Sequence, residues 1–276
     1  MVVAAGLRIA VLALLTTAVL AGEGEGNSGE QSSPMSVAVG ATILGAMCFM
    51  MALFCLTNHK DPDMRKYTYE AVSTTISIFA AVLVFQTVNQ VVEANLLDGK
   101  SMEYQLLVDT LHMLSWYILL QAWLAWTSGA IGEAPKSLDE VEINMKCYGV
   151  ILAHLTGFAS INAWVTMQHL EFFAATPMRS LLVIPIGALS QFLLQRVTDN
   201  LRWRVSMMDD GEEDEFEALW NETSEEAEND VMGLSISFCA AQALRFLISG
   251  VLPDNEGKES WSDATSHTFS QVGMIW

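Results

Sequence analysis

The feature that most constrains this chain is a series of six apolar segments, each of spanning length: Met35–Thr57, Tyr69–Val92, Tyr104–Thr127, Cys147–Leu170, Leu181–Gln195 with its flanks, and Val231–Leu252. Crossing ~30 Å of hydrocarbon takes ~20 helical residues, and lipid offers no partner to a peptide group, so segments of this length must be helices. Composition agrees: 52% of residues are hydrophobic and only 16% charged, against roughly 25% charged in soluble chains. The fifth segment is interrupted by Pro185 and Gly187, which a helix sheltered by neighbours tolerates. The expected fold is all-α, a helical integral membrane bundle of six transmembrane helices over residues 35–252.

Residues 1–21 read as a cleaved signal peptide. One cation, Arg8, precedes the apolar run Ile9–Leu20, and Val19 and Ala21 stand three and one residues before Gly22. That run is shorter than the ~20 residues a permanent span needs. Residues 22–34 are a Gly/Ser/Glu tail, expected to be flexible and exported. Signal removal leaves the amino terminus outside, and the cations agree. Lys60, Arg65, Lys66, Lys136, Lys146, Arg196, Arg202 and Arg204 fall in the connections this topology makes internal, whereas Lys100, Arg179 and Lys258 fall outside. This is the positive-inside bias. Residence on the secretory route or at the plasma membrane follows, with residues 196–230 cytoplasmic and 253–276 an external tail. Cys48, Cys55, Cys147 and Cys239 all lie within or at the ends of spans, so free thiols are expected rather than a disulfide framework.

Phe79-Ala80-Ala81, Phe158-Ala159-Ser160 and Phe238-Cys239-Ala240 recur at spacings of 79 and 80 residues. They suggest three parallel helical hairpins with these triplets at one depth. Polar side chains inside the spans are the candidate functional residues, because an ionisable group at the bilayer centre costs ~2.5–3.5 kcal/mol even on insertion scales. Gln86, Asn89 or Gln90, and Glu93 share a face of the second span, Asp109, His112 and Trp116 a face of the third, and Asn162, Thr166 and His169 a face of the fourth. Arg245 lies on the sixth. Counted from the outer ends, Asp109 and Arg245 fall at one depth, where a bidentate pair is expected. Asp109, Arg245, His112, Gln86, Asn89 and Asn162 are therefore the expected path of a small polar solute or ion. His112 is the candidate for pH sensitivity, since imidazole titrates near neutrality.

Other chemistries are excluded or unsupported. A net charge of −19 repels phosphate backbones, so no nucleic-acid partner is expected. His112 and His154 differ in depth by ~10 Å, too far apart to share one haem iron. No HExxH, Gly-x-Ser-x-Gly, Cys-x-x-Cys or P-loop motif occurs, so neither an enzyme nor a cofactor is expected. Residues 206–230 hold twelve of the thirty-two acids without the ligand spacing of an EF-hand, and no metal site is expected. Self-repulsion of those acids predicts a solvated, disordered internal loop. Phe216, Leu219 and Trp220 at helical spacing offer instead a short helix that docks on a basic protein partner or on the protein's own inner mouth. The expected function is transport of a small polar solute or ion across the bilayer, with a non-catalytic scaffold recruiting a partner through the acidic loop as the rival. The sequon Asn221-Glu222-Thr223 reports the topology. On glycosidase treatment of the expressed protein it is expected to be bare, while a sequon placed in residues 22–34 is expected to be glycosylated.

Overall fold

The computed structural model describes residues 34–132, 137–208, 213–254, 257–258, 267–268 and 271; the expected signal peptide, residues 1–21, and most of both expected tails lie outside the described residues. The described elements are all helical, in the order α1 (Pro34–Thr57), α2 (Pro62–Val92, continued by a π-helical turn Glu93–Leu97), α3 (Met102–Ser128), α4 (Leu138–Gln168), short α5 (Glu171–Ala174) and α6 (Pro177–Ser180), α7 (Val183–Ser206) and α8 (Glu215–Ser249). Glycine ends two of the long helices. Gly129 after α3 and Gly250 after α8 take φ of 86° and 79°, a left-handed conformation that closes a helix at no cost in Cβ clash.

Among the described residues five stretches are long and apolar enough to cross a membrane: Val39–Thr57, Pro62–Leu97, Glu140–Gln168, Pro177–Ser206 and Glu215–Ser249. The sequence count of six includes α3. At 27 residues α3 spans ~40 Å at 1.5 Å per residue, but Asp109, His112, Ser115 and Gln121 dilute its apolar character. The chain divides into two compact units, with the boundary between Ser73 and Thr74 inside α2. In the first, α1 exposes Ile43, Leu44, Met47, Phe49, Met50 and Phe54, an apolar surface around more than half of the helix, as lipid contact requires.

The second unit is a bundle around α4. Phe85 packs on Phe158 and Asn89 bonds Asn162, so α2 and α4 run parallel. Gly149 approaches Thr223 and Gly157 approaches Leu234, so α4 and α8 are parallel too, while α3 and α7 run antiparallel to them. Leu120, Leu124, Met145, Ala159, Val165 and Cys239 form the dry core. Outward, Leu107, Leu111, Ile118, Leu189, Leu193, Val197 and Leu247 are exposed, so the bundle is apolar outside while Arg202, Glu228, Gln168, Gln191 and Gln242 are buried within. That distribution is compatible with an integral membrane protein, where the solvent is hydrocarbon.

Three expectations are corrected. The acidic loop is not a loop where it is described: Asp214 caps α8 in a capping box with Glu217, and Glu215–Asp230 forms the first turns of a 35-residue helix. Trp220, Thr223, Ser224, Ala227 and Glu228 are buried against the bundle, while Glu222, Glu225, Glu226 and Asp230 face out. One buried stripe therefore offsets the self-repulsion of the acids. Arg202, counted as a loop cation, is buried in α7. The repeated triplets are not level either, because Phe158 meets Phe85 rather than Phe79, a mismatch of six residues or ~9 Å. The four cysteines are free thiols, with Cys239 buried.

Close approach of α4 and α8 depends on small residues. A Cβ on Gly157 would stand 2.7 Å from Leu234 Cδ2, whereas Gly233 has nothing within 4 Å. Gly157→Ile is expected to lower stability by about 1–3 kcal/mol, and Gly233→Ala to preserve or raise it, measured by thermal unfolding in detergent.

Candidate functional site

The polar interior is organised in layers along the bundle. Its deepest layer joins α3, α7 and α8 through Arg202 and Glu228, which are 3% and 2% exposed. The guanidinium grips the carboxylate with both nitrogens, Nη1 to Oε1 at 2.7 Å and Nη2 to Oε2 at 3.2 Å. Donors from two further side chains reach Oε1, Tyr117 Oη and Gln121 Nε2, each at 2.7 Å. Thr198 Oγ1 stands at the same 2.7 Å. Arg202 Nη2 also bonds Asp199, and Nη1 bonds Gln121 Oε1 at 3.0 Å. A buried ion pair is tolerable only where its remaining donors and lone pairs are satisfied; here the network supplies them. Arg202 has a second carboxylate beside it, whereas Glu228 has one cation.

Above this layer Gln191 Nε2 donates to Ser160 and, at 2.9 Å, to Ser235 Oγ, and Trp164 Nε1 donates to Ser160 Oγ at 3.0 Å. Further out Gln168 Nε2 donates to the Cys239 carbonyl at 3.1 Å. Glu228, Ser235 and Gln242 recur every seven residues on α8, two turns apart and hence on one face. At the Gly250 end of α8 the chain folds back over the bundle. Gln242 Nε2 donates to the Asp254 carbonyl at 3.0 Å, and Arg245 Nη1 donates to that of Gly257. The ring nitrogens of His169 stand 2.8 Å from the Val165 carbonyl and 2.9 Å from that of Pro253. Carbonyls only accept, so a neutral imidazole satisfies one of those contacts and an imidazolium both.

The residues expected to line a path are only partly brought together. Asn162 Nδ2 donates to Asn89 Oδ1 at 3.1 Å, and Asn89 Nδ2 to Glu93 Oε1 at 2.7 Å. Asp109, 5% exposed, accepts from Thr166 Oγ1 at 2.7 Å. His112 stacks on Phe85 and accepts from Trp116 Nε1 at 2.8 Å. Gln86 is exposed. No ion pair joins Asp109 to Arg245. Counting depths from helix ends assumes that the ends share a plane, and they do not. Gln168 is level with Cys239, which leaves Arg245 six residues, ~9 Å, further out, while Asp109 is level with Thr166.

Arg202, Glu228 and Gln191 were missed because the first two stand beside charge-rich, loop-like sequence and the third lies in a Pro/Gly-interrupted span. The signal was present in the spacings: Gln191, Gln195, Thr198 and Arg202 recur at i, i+4, i+7 and i+11, one face of one helix. Among the described residues no cluster of three His, Cys, Asp or Glu side chains could hold a metal ion. No family model, curated protein or solved structure matches the chain.

Removing one member of a buried pair leaves a charge without its partner, at about 3–5 kcal/mol. Arg202→Leu is expected to fall in that range. Glu228→Gln is expected to cost less, because Arg202 keeps Asp199, and Arg202→Leu with Glu228→Leu together less than Arg202→Leu alone. Unfolding in detergent, read by circular dichroism, measures all three.

Proposed function

We propose that the chain is a six-span membrane protein that passes a small polar solute or ion, as a transporter or channel. The observation that supports this reading is the buried line of charged and amide side chains within a bundle whose exterior is apolar. Apolar packing would hold the helices together without Arg202, Glu228, Gln191, Gln168 or Gln242, and ionisable groups inside a membrane are functional by default. In this reading α3 is the third span, residues 1–21 are removed as a signal peptide, the amino terminus faces outside and the Glu215–Asp230 end of α8 faces the cytoplasm. The outer part of the path is formed by Asp109, His112, Asn89 and Asn162, with Arg245 at the outer mouth. Its inner part is the Arg202 layer. Arg202 sits between two carboxylates, Asp199 and Glu228. It can release one while holding the other, so the pair can open without stranding a buried cation. That is a gate suited to a small charged or polar species.

A second reading draws on the exposed acids Glu222, Glu225, Glu226 and Asp230 on one side of α8. In a non-catalytic scaffold this face recruits a basic protein and the interior only fixes helix packing. The two readings separate in proteoliposomes. Purified protein is expected to pass at least one of a panel of small ions and polar solutes. Asp109→Asn and Glu228→Gln are expected to reduce that flux at least tenfold at unchanged helicity, while Glu→Lys changes at 222, 225 and 226 leave it intact. Folded protein that passes none of the panel contradicts transport.

A further inference from the structure

Between the two deepest polar layers lies a cavity of about 10 Å³ bordered by Tyr117, Thr156, Ser160, Gln191, Gln195 and Glu228 and closed by three apolar side chains. We propose that this cavity is a binding site for one water molecule, held by Thr156, Gln191 and Gln195, that joins the Glu228 layer to the Ser160 layer. The inference does not rest on the transport reading.

Thr156 carries the argument. Its side chain is fully buried and its hydroxyl has no partner among the described residues. A threonine within a helix ordinarily returns its hydroxyl to the carbonyl four residues back. Thr57, Thr68, Thr87 and Thr110 do so here. Thr156 does not, and it borders the cavity. Burying a hydroxyl without a partner is unfavourable by an amount comparable to a lost hydrogen bond, so an orphan beside an enclosed space calls for a ligand that both donates and accepts.

The space and its walls specify that ligand. About 10 Å³ is at the threshold for one water and too small for an organic solute or a hydrated ion. Gln195 Nε2 donates to the Glu228 carbonyl and Gln191 Nε2 to Ser160 and Ser235, which leaves both amide oxygens as acceptors, that of Gln191 with one of its two lone pairs directed to Ser235 Oγ at 3.3 Å. A water there accepts from Thr156 Oγ1 and donates to the amide oxygens of Gln191 and Gln195, within the two to four partners a buried water needs. With it in place Gln195, which bonds the Glu228 carbonyl, is joined to Gln191 and through it to Ser160 and Ser235.

The sign of a stability change tests this. Valine matches threonine in shape and lacks only the hydroxyl. If the cavity holds water, Thr156→Val strips that water of a partner, and the midpoint of unfolding in nanodiscs is expected to fall by about 2–4 °C, while Thr156→Ser stays nearer the parent. A midpoint that rises in Thr156→Val means the cavity is dry and overturns the proposal. Equal losses in Val and Ser overturn it too, since shape rather than the hydroxyl would then matter. Replacing sodium and potassium by N-methylglucamine is expected to change nothing; a lower parental midpoint would assign the site to a bare cation. Should Thr156→Val fail to fold, density at hydrogen-bond distance from Thr156 Oγ1 in a high-resolution structure of the parent decides, a peak supporting water and an empty cavity contradicting it.

Discussion

Everything polar in this bundle is governed by one constraint: a donor, acceptor or charge enclosed by apolar helices has only other enclosed groups to satisfy it. The Arg202–Glu228 pair is the strongest expression of it. Two charges that would each be prohibitive alone are neutralised in a bidentate contact, and the remaining lone pairs and protons are taken up by Tyr117, Gln121, Thr198 and Asp199. Because those residues come from α3, α7 and α8, satisfying the pair also fixes the axial register of three helices. The small residues Gly149 and Gly157 of α4 then admit α8 at the same register.

The same constraint explains why a stretch as acidic as Glu215–Asp230 is helical. Its acids divide by face, with Glu217 and Glu228 turned inward to specific partners and Glu222, Glu225 and Glu226 outward. Charge density alone predicts repulsion and disorder; periodicity predicts a helix. Periodicity wins here because Trp220, Ala227 and Val231 bury apolar area along the inward stripe.

The bundle was legible in the sequence where hydrophobicity is uniform. α1 matches the expected span Met35–Thr57 to within one residue, since apolar length is a one-dimensional property. Local faces were legible as well: Asn89 and Asn162 meet, and Asp109 finds Thr166. Relations between distant helices were not. The expected Asp109–Arg245 pair, the level triplets and the placement of Gln86 all required the stagger of helix ends and the rotation of each helix about its axis, which side-chain packing sets and single-span spacing does not encode. Arg202 and Glu228 were hidden for a related reason: each sits beyond the apolar stretch of its own helix, and burial comes from neighbours that overhang it.

The central claim of transport is that the polar line along α7 is reached by water during function, while the other face of the same helix stays in lipid. Cysteine-scanning of α7 in a cysteine-free background, in sealed membranes, tests it most directly. A membrane-impermeant thiol reagent is predicted to label positions 191, 195 and 198 but not the exposed apolar positions 189, 193 and 197. Uniform protection of 191, 195 and 198, with every variant folded, would contradict transport and leave the polar line as a helix lock alone.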